Sequence, residues 1–509
     1  MRTLLAGAAV LLLAGCSGSS VSISSTPGGP FVLQWSANVT VSTVAAAGTA
    51  AQAFSSSRLA LSWSAPSNLV PTRYDVIVSE ATSSTPRTVS TTATSAQVDG
   101  LKSATSYRFE VRACDATQCY AQPAATSTME TPAEAWQLQG AGRTFAGLAR
   151  VVPDGNVKLH AMRIGEGAPA DLAGRLRLYY GASGATNHGL PVAVTTDAAS
   201  SSNPQSYLTF ASRAGSAGLI DPPPGAALVR SVATGQGVAL SPSMGSRVRL
   251  FFEALGADNR TRILWVDSHD GYAGLDFNSG AAASCSTAAD YSPGGGCAPT
   301  VAIGVEGDAS AGWSKVVNAR QFKLGVPTAT DWRWDGAAGT FMVFTVDAIT
   351  GCTTATHNQA YAVWSGAAWQ VQYDASGCPK MLASAQAAHP LHLGGVRYKL
   401  YYGDPSDATG RLPGSMLPFL GPKKLLYADG AASGDPARVD FEDWEPVSRG
   451  RPITFLWPDG SPLDATAEGY IDDFSVIAPT GSLALQVLYV AITDGTTIPF
   501  TAVAVLLNP

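Results

Sequence analysis

Apolar and polar residues alternate along most of this chain in short runs, and the runs stop at Gly, Pro, Asp or Asn. A period of two over about four to eight residues marks a half-buried strand, because successive side chains point to opposite faces of a sheet. LALSWSAP (59–66), RYDVIVSE (73–80), AQVDGL (96–101) and TSYRFEVRACD (105–115) all follow it. Long stretches with apolar residues three and four apart, the mark of amphipathic helices, are missing. The pattern predicts an all-β protein.

One strand pattern recurs. GRLRLYYG (174–181) and VRYKLYYG (396–403) share an alternating run, a Tyr-Tyr pair and a closing Gly. SRVRLFFEAL (246–255), GTFMVFTVDA (339–348) and LALQVLYVAITDG (483–495) follow the same design. Five copies spaced by roughly 60 to 90 residues suit the blades of a propeller, each a small antiparallel sheet. Hairpin signals lie between them, with Ser365-Gly366 and Asp270-Gly271 at expected turns. The strand is apolar on both faces, as a strand packed on both sides must be. The expected fold is a β-sandwich followed by a five-bladed β-propeller; the alternative is a series of further sandwiches.

The first residues add an address. Arg2 precedes an apolar core, Leu4 to Leu13, too short to span a bilayer permanently. It ends in Leu13-Ala14-Gly15-Cys16, which resembles the lipobox of bacterial lipoproteins. That resemblance implies cleavage before Cys16 and acylation of its thiol, with a membrane as partner through the lipid. Ser17 stands where the family's inner-membrane retention signal places Asp, so the expected location is the outer membrane or cell surface. The expected layout is a signal peptide over 1–15, a polar tether over 16–30, the sandwich over 31–130 and the propeller over 137–509. METPAEAW (129–136) reads as a short, stiff linker between the last two.

Cysteine usage agrees with export. Beyond Cys16, six Cys fall into neighbouring pairs: Cys114 with Cys119, Cys285 with Cys297, and Cys352 with Cys378. Each pair brackets a turn-rich loop, which favours local disulfides over the other pairings that six Cys permit. The chain carries a net charge of −6 with 14% charged residues, so no basic field is available for nucleic acid.

Two further resemblances organise the body. Residues 40–130 combine W-x-A-P, Y-x-V and L-x-x-x-T-x-Y-x-F-x-V, and resemble a fibronectin type III domain. Trp63 then belongs in the core, and Leu101 with Tyr107 forms a tyrosine corner whose hydroxyl bonds to nearby backbone. The family implies a spacer or adhesion module and no catalytic residues. The five repeats resemble, at the level of strand pattern, the propellers of arabinanase- and xylosidase-type glycoside hydrolases. That family surrounds a central cavity with a general base, a general acid and a third carboxyl group, and inversion needs room for a water.

The chemistry is less legible. Glu166, in GEGAPADLAGRLRLYYG, precedes a repeat strand much as that family's acid does, but an inserted Ala breaks the motif. WVDSHDGYAGLDF gathers Asp267, His269, Asp270 and Asp276; DFEDWEPVSRG gathers Asp440, Glu442, Asp443 and Glu445 around Trp444. Either could contact sugar, and either reads equally as a solvated loop. Asp459, Asp464, Glu468, Asp472 and Asp473 form a hard-oxygen set that could bind calcium, without the spacing of a known calcium loop. Four carboxylates, Glu166, Asp267, Asp404 and Glu442, are the catalytic candidates whose position relative to the axis decides between two functions. Asp270, Trp444 and Glu445 are the binding candidates. The expected function is a surface lipoprotein whose propeller binds carbohydrate, another envelope or extracellular polymer, or a surface protein. The alternative is an inverting glycoside hydrolase.

Overall fold

The computed structural model describes residues 32–36, 38–45, 54–80, 86–120, 126–152, 156–163, 176–182, 192–195, 203–208, 210–212, 228–230, 235–241 and 248–256. Further along it describes 261–268, 275–276, 300–303, 316–323, 334–346, 349, 351–352, 358–383, 388–394, 397–403, 425–431, 451–463, 470–478, 485–493 and 500–507. The leader, Cys16 and the tether lie outside these residues, as does the Cys285–Cys297 pair. Among the described residues no helix is long and apolar enough to cross a membrane.

The first unit is a sandwich of seven strands. They are β1 (Thr40–Ala45), β2 (Phe54–Ser62), β3 (Arg73–Glu80), β4 (Arg87–Thr91), β5 (Ser95–Val98), β6 (Ser106–Cys114) and β7 (Thr126–Glu130). One sheet has the order β1-β2-β5 and the other β4-β3-β6-β7. Alternation decides which side chains are inside: Tyr74, Val76 and Val78 on β3 and Tyr107, Phe109 and Val111 on β6 are buried. Each such side chain contributes about 1.5–3 kcal/mol by leaving water. Trp63 packs edge-on against Tyr74, with ring centroids 5.4 Å apart. The Tyr107 hydroxyl accepts a hydrogen bond from the Lys102 amide at 2.8 Å, which is the expected tyrosine corner. Cys114 and Cys119 are bonded to each other at the end of β6.

β8 (Ala135–Leu138) then leaves the sandwich, and five sheets follow in sequence. The first holds β9 (Asn156–Arg163), β10 (Leu176–Ala182), β11 (Val192–Thr195) and β12 (Phe210–Ser212). The second holds β13 (Leu228–Arg230), β14 (Gly235–Ala239), β15 (Val248–Gly256), β16 (Thr261–Ser268), β17 (Leu275–Asp276) and β18 (Thr300–Ile303). The third holds β19 (Val316–Lys323), β20 (Thr340–Val346), β21 (Asn358–Trp364), β22 (Trp369–Val371) and β23 (Met381–Ala383). The fourth holds β24 (Ala388–Gly394), β25 (Arg397–Gly403), β26 (Leu425–Ala431) and β27 (Arg451–Pro452). The fifth is built from β28 (Thr454–Leu456), β29 (Tyr470–Ile477), β30 (Val487–Thr493) and β31 (Phe500–Leu506), and β8 joins it.

These sheets are the blades of a closed ring. β9 packs beside β14, β14 beside β19, β19 beside β24, β24 beside β29, and β29 beside β9 again. Five innermost strands thus surround one axis. β8 closes the ring by pairing antiparallel to β31 and parallel to β28, so the first strand of the propeller completes its last blade.

The repeated stretch falls at one place in every blade: β10, β15, β20, β25 and β30 are each second from the axis. A strand there is sandwiched between neighbouring blades on both faces, which explains its apolar density. β20 is buried at all seven positions. Apolar clusters fill the spaces between blades, joining the fifth to the first through Tyr489 and Tyr180, and the second to the third through Phe251 and Trp334. The Ser365-Gly366 turn is also where the sequence puts it. Trp364 pairs with Trp369, the Ser365 amide donates to Ala368 O at 3.0 Å, and Gly366 has φ +99°. That left-handed conformation is what Gly supplies without strain. Cys352 and Cys378 are bonded to each other in the third blade.

Candidate functional site

The axis poses a physical problem. The innermost strand of each blade has an outer edge that no strand of its own sheet can pair, so its N–H and C=O groups point toward its neighbours. Buried there without partners, each would cost about 1–3 kcal/mol. Polar side chains from other blades meet them instead.

β29 supplies two. Asp473 Oδ2 accepts from the Leu159 amide at 2.9 Å, and Ser475 Oγ accepts from the Ala161 amide at 2.8 Å. Alternation along YIDDFSVI puts Asp473 and Ser475 on one side and Phe474 on the other, where it joins the core of the fifth blade. β19 supplies Arg320, whose Nη2 donates to Leu159 O at 2.8 Å and whose Nη1 donates to Ala319 O at 3.0 Å. The same Nη2 lies 4.0 Å from Asp473 Oδ2. β24 supplies His389, whose Nε2 is 3.2 Å from Ser475 Oγ. His160 on β9 lies against it, with ring centroids 5.7 Å apart. Four innermost strands are therefore tied together by side chains.

Burial sets the electrostatics. None of His160, Arg320, His389, Asp473 and Ser475 is more than 6% exposed. Burial pulls the Arg320 guanidinium below its usual range, and the charges of Asp473 and Glu253 oppose that. Burial also holds the His389 imidazole well below 6.5, and Arg320 pushes it the same way. The axial pair is thus an ion pair beside a neutral imidazole. Chemically, these groups can bind backbone and each other.

Of the residues singled out in the sequence, Asp267 lies on β16, in register opposite Arg249 of β15. Its two oxygens accept from Arg249 Nε at 2.7 Å and Nη2 at 3.0 Å. The guanidinium in turn lies over the rings of Trp265, at 3.6 Å to the centroid, and Trp334, at 4.8 Å. Asp267 is held in a bidentate pair at the seam of the second and third blades. Asp276 pairs with it through backbone on β17. Asp459 occupies an exposed turn, where Ser461 holds its carboxyl below the usual range. Asp473 is buried at the axis, so these two members of the hard-oxygen set do not share a site. Glu166, His269, Asp270, Asp404, Asp440, Glu442, Asp443, Trp444, Glu445, Asp464 and Glu468 lie outside the described residues.

Among the described residues one group of three has metal-ligand spacing: Asp75, Cys114 and Cys119. Its two sulfurs are joined to each other, which leaves no thiolate to coordinate.

The sequence reading grouped Asp473 with calcium candidates and missed the other axial residues and one more. Glu134, placed in the linker by sequence, is buried where β8 begins. It accepts from Trp136 Nε1 at 3.3 Å, from the Tyr401 hydroxyl at 3.0 Å and from Lys399 Nζ. The usable signal was Lys399, a charge in the middle of the apolar repeat VRYKLYYG, which requires a buried counter-charge.

A family model for the fibronectin type III domain matches residues 45–126. The fibronectin type III domain of human contactin 1 is 22% identical over 26% of this chain and 98% of its own, with a TM-score of 0.17. A thermostable family-43 glycoside hydrolase is 12% identical over 70% of this chain and 89% of its own, with a TM-score of 0.40. A family-43 β-xylosidase/α-arabinofuranosidase from a compost microbial metagenome is 11% identical over 72% and 94%, at a TM-score of 0.38. No curated protein sequence matches the chain.

Proposed function

We propose that this chain is a lipid-anchored surface protein whose propeller binds carbohydrate or another envelope polymer without hydrolysing it. The fibronectin type III domain holds that propeller away from the membrane. The observation that supports binding over hydrolysis is where the described carboxylates are engaged. Asp473, at the axis, is buried and hydrogen-bonded to backbone; Asp267 is locked by Arg249. A general acid must reach substrate and exchange its proton, and neither group is placed to do so. Recognition would fall to Trp444, stacking on a sugar ring, and to Asp270 and Glu445, accepting from hydroxyls.

The test is a polysaccharide panel with the chain lacking its leader. Binding without sugar release is expected, and Trp444→Ala should weaken it about tenfold, equivalent to about 1.4 kcal/mol. Sugar release that disappears in Glu166→Gln, Asp404→Asn or Glu442→Gln would replace this reading with the inverting hydrolase.

The anchor is tested separately. Cys16→Ser is expected to abolish acyl labelling and move the protein from the membrane to the soluble fraction. Unchanged labelling and fractionation would remove the anchor from the proposal.

A further inference from the structure

At the axis, one hydroxyl joins three blades. Ser475 Oγ on β29 accepts from the Ala161 amide of β9 and meets His389 Nε2 of β24. Ser475 Oγ uses one lone pair for Ala161, and it can donate its proton to a bare Nε2 or accept from a protonated one with its second lone pair. The other ring nitrogen, Nδ1, is buried with no hydrogen-bond partner among the described residues. Two aromatic rings pack against it at a tilt: His160 from β9, at 5.7 Å between centroids, and Phe474 from β29, at 6.2 Å.

We propose that His389 is an acid-sensitive pin that keeps the first, fourth and fifth blades closed on the axis and releases them when its imidazole gains a proton. Burial and the charge of Arg320 both oppose a proton there. β19 presents Arg320, a cation; β9 presents His160, on which Tyr179 of β10 stacks. β25 places Tyr401 opposite His389, but its hydroxyl is committed to Glu134. β29 presents Asp473, already bonded to the Leu159 amide and facing Arg320, while Glu253 of β15 acts on Arg320 as well. Once protonated, the ring can keep Ser475 as an acceptor for Nε2–H, but Nδ1–H faces no acceptor among the described residues. An imidazolium there carries a buried, unsatisfied Nδ1–H and gains no counter-ion.

The direction follows from linkage. His389 is held neutral in the closed ring to well below 6.5, whereas in an opened ring it titrates near 6.5. The open form therefore binds more protons, so closure is complete above about pH 6.5 and weakens as the pH falls toward the closed-form value. The opening equilibrium grows on the order of tenfold per pH unit over that window.

Amide hydrogen exchange on the full chain, corrected for intrinsic rates, tests this at pH 7.5, 6.5, 5.5 and 5.0. Protection of 156–163, 388–394 and 470–478 should fall about tenfold per unit below pH 6.5, while that of β20 holds. His389→Gln keeps a partner for Ser475 but does not titrate, and its protection should be flat across the same range. An equal loss in His389→Gln, or no loss in the wild-type chain, overturns the proposal. Should that variant fail to fold, histidine-selective NMR titration of the wild-type chain decides: a ring titrating near 6.5 at His389 also overturns it.

Discussion

Replacing Glu134 with Ala should lower the stability of the propeller by about 3–5 kcal/mol, the range for breaking a buried ion pair by removing one partner. Glu134 is 1% exposed and gathers Lys399, the Tyr401 hydroxyl and the Trp136 indole on one carboxylate. Without it, an ammonium group stays in an apolar seam between the fourth and fifth blades, and two neutral donors lose their acceptor. Lys399→Met should cost less, because two donors still serve the carboxylate. The double change Glu134→Gln with Lys399→Met should recover most of the loss, since a buried pair is often replaceable by neutral groups of similar volume. Urea unfolding followed by tryptophan fluorescence measures this. An unchanged midpoint in Glu134→Ala would mean that the seam does not depend on the pair.

The second large effect is expected at the axis. Asp473→Ala removes the acceptor for the Leu159 amide and an anion 4.0 Å from Arg320, leaving a buried guanidinium balanced, among the described residues, by Glu253. A loss of about 3–5 kcal/mol follows from the uncompensated charge. Asp473→Asn separates the two roles, because an amide oxygen still accepts from Leu159 while the charge is gone. Its loss should be smaller, and the difference between the two variants measures what the charge contributes. Arg320→Met in the Asp473→Ala background should restore part of the stability, a coupling that a double-mutant cycle reads directly. Additive effects would show that the two residues act independently.

The fold was legible where burial is one-sided or complete. The sandwich strands alternate cleanly, and Tyr107 identified its own hydrogen bond five residues back. The repeat strands stood out because a strand between two blades is apolar on both faces. The innermost strands are different. NVKLHAMR and YIDDFSVI mix charge with apolar residues, because one side packs on the blade while the other serves backbone across the axis. In a linear reading that mixture looks like a solvated loop, so Asp473 was grouped with calcium candidates and His389 was not singled out. Asp267 was misleading for a related reason. Its partner is fixed by hairpin register, and Arg249 and Asp267 are equidistant from position 258, inside the short connection ADNR (257–260). A turn placed there would have predicted the pair.

Ring closure by β8 also sets an order of events in time. Leu138 is made early, and its partner is Ala504. The sandwich has all its strands once residue 130 has emerged, whereas no partial chain ending before residue 500 can complete the fifth blade. The entropic burden of so distant a closure is modest, since it grows only with the logarithm of length. The delay is the larger matter. Until β31 arrives, β8 and β30 each present a bare strand edge, and such edges template pairing between molecules. The most hazardous interval in the life of this protein is therefore its own synthesis. A holding factor that shields strand edges would be needed then, and would have nothing to grip once the Gln139 amide reaches Val503 O and the Leu507 amide reaches Ala135 O.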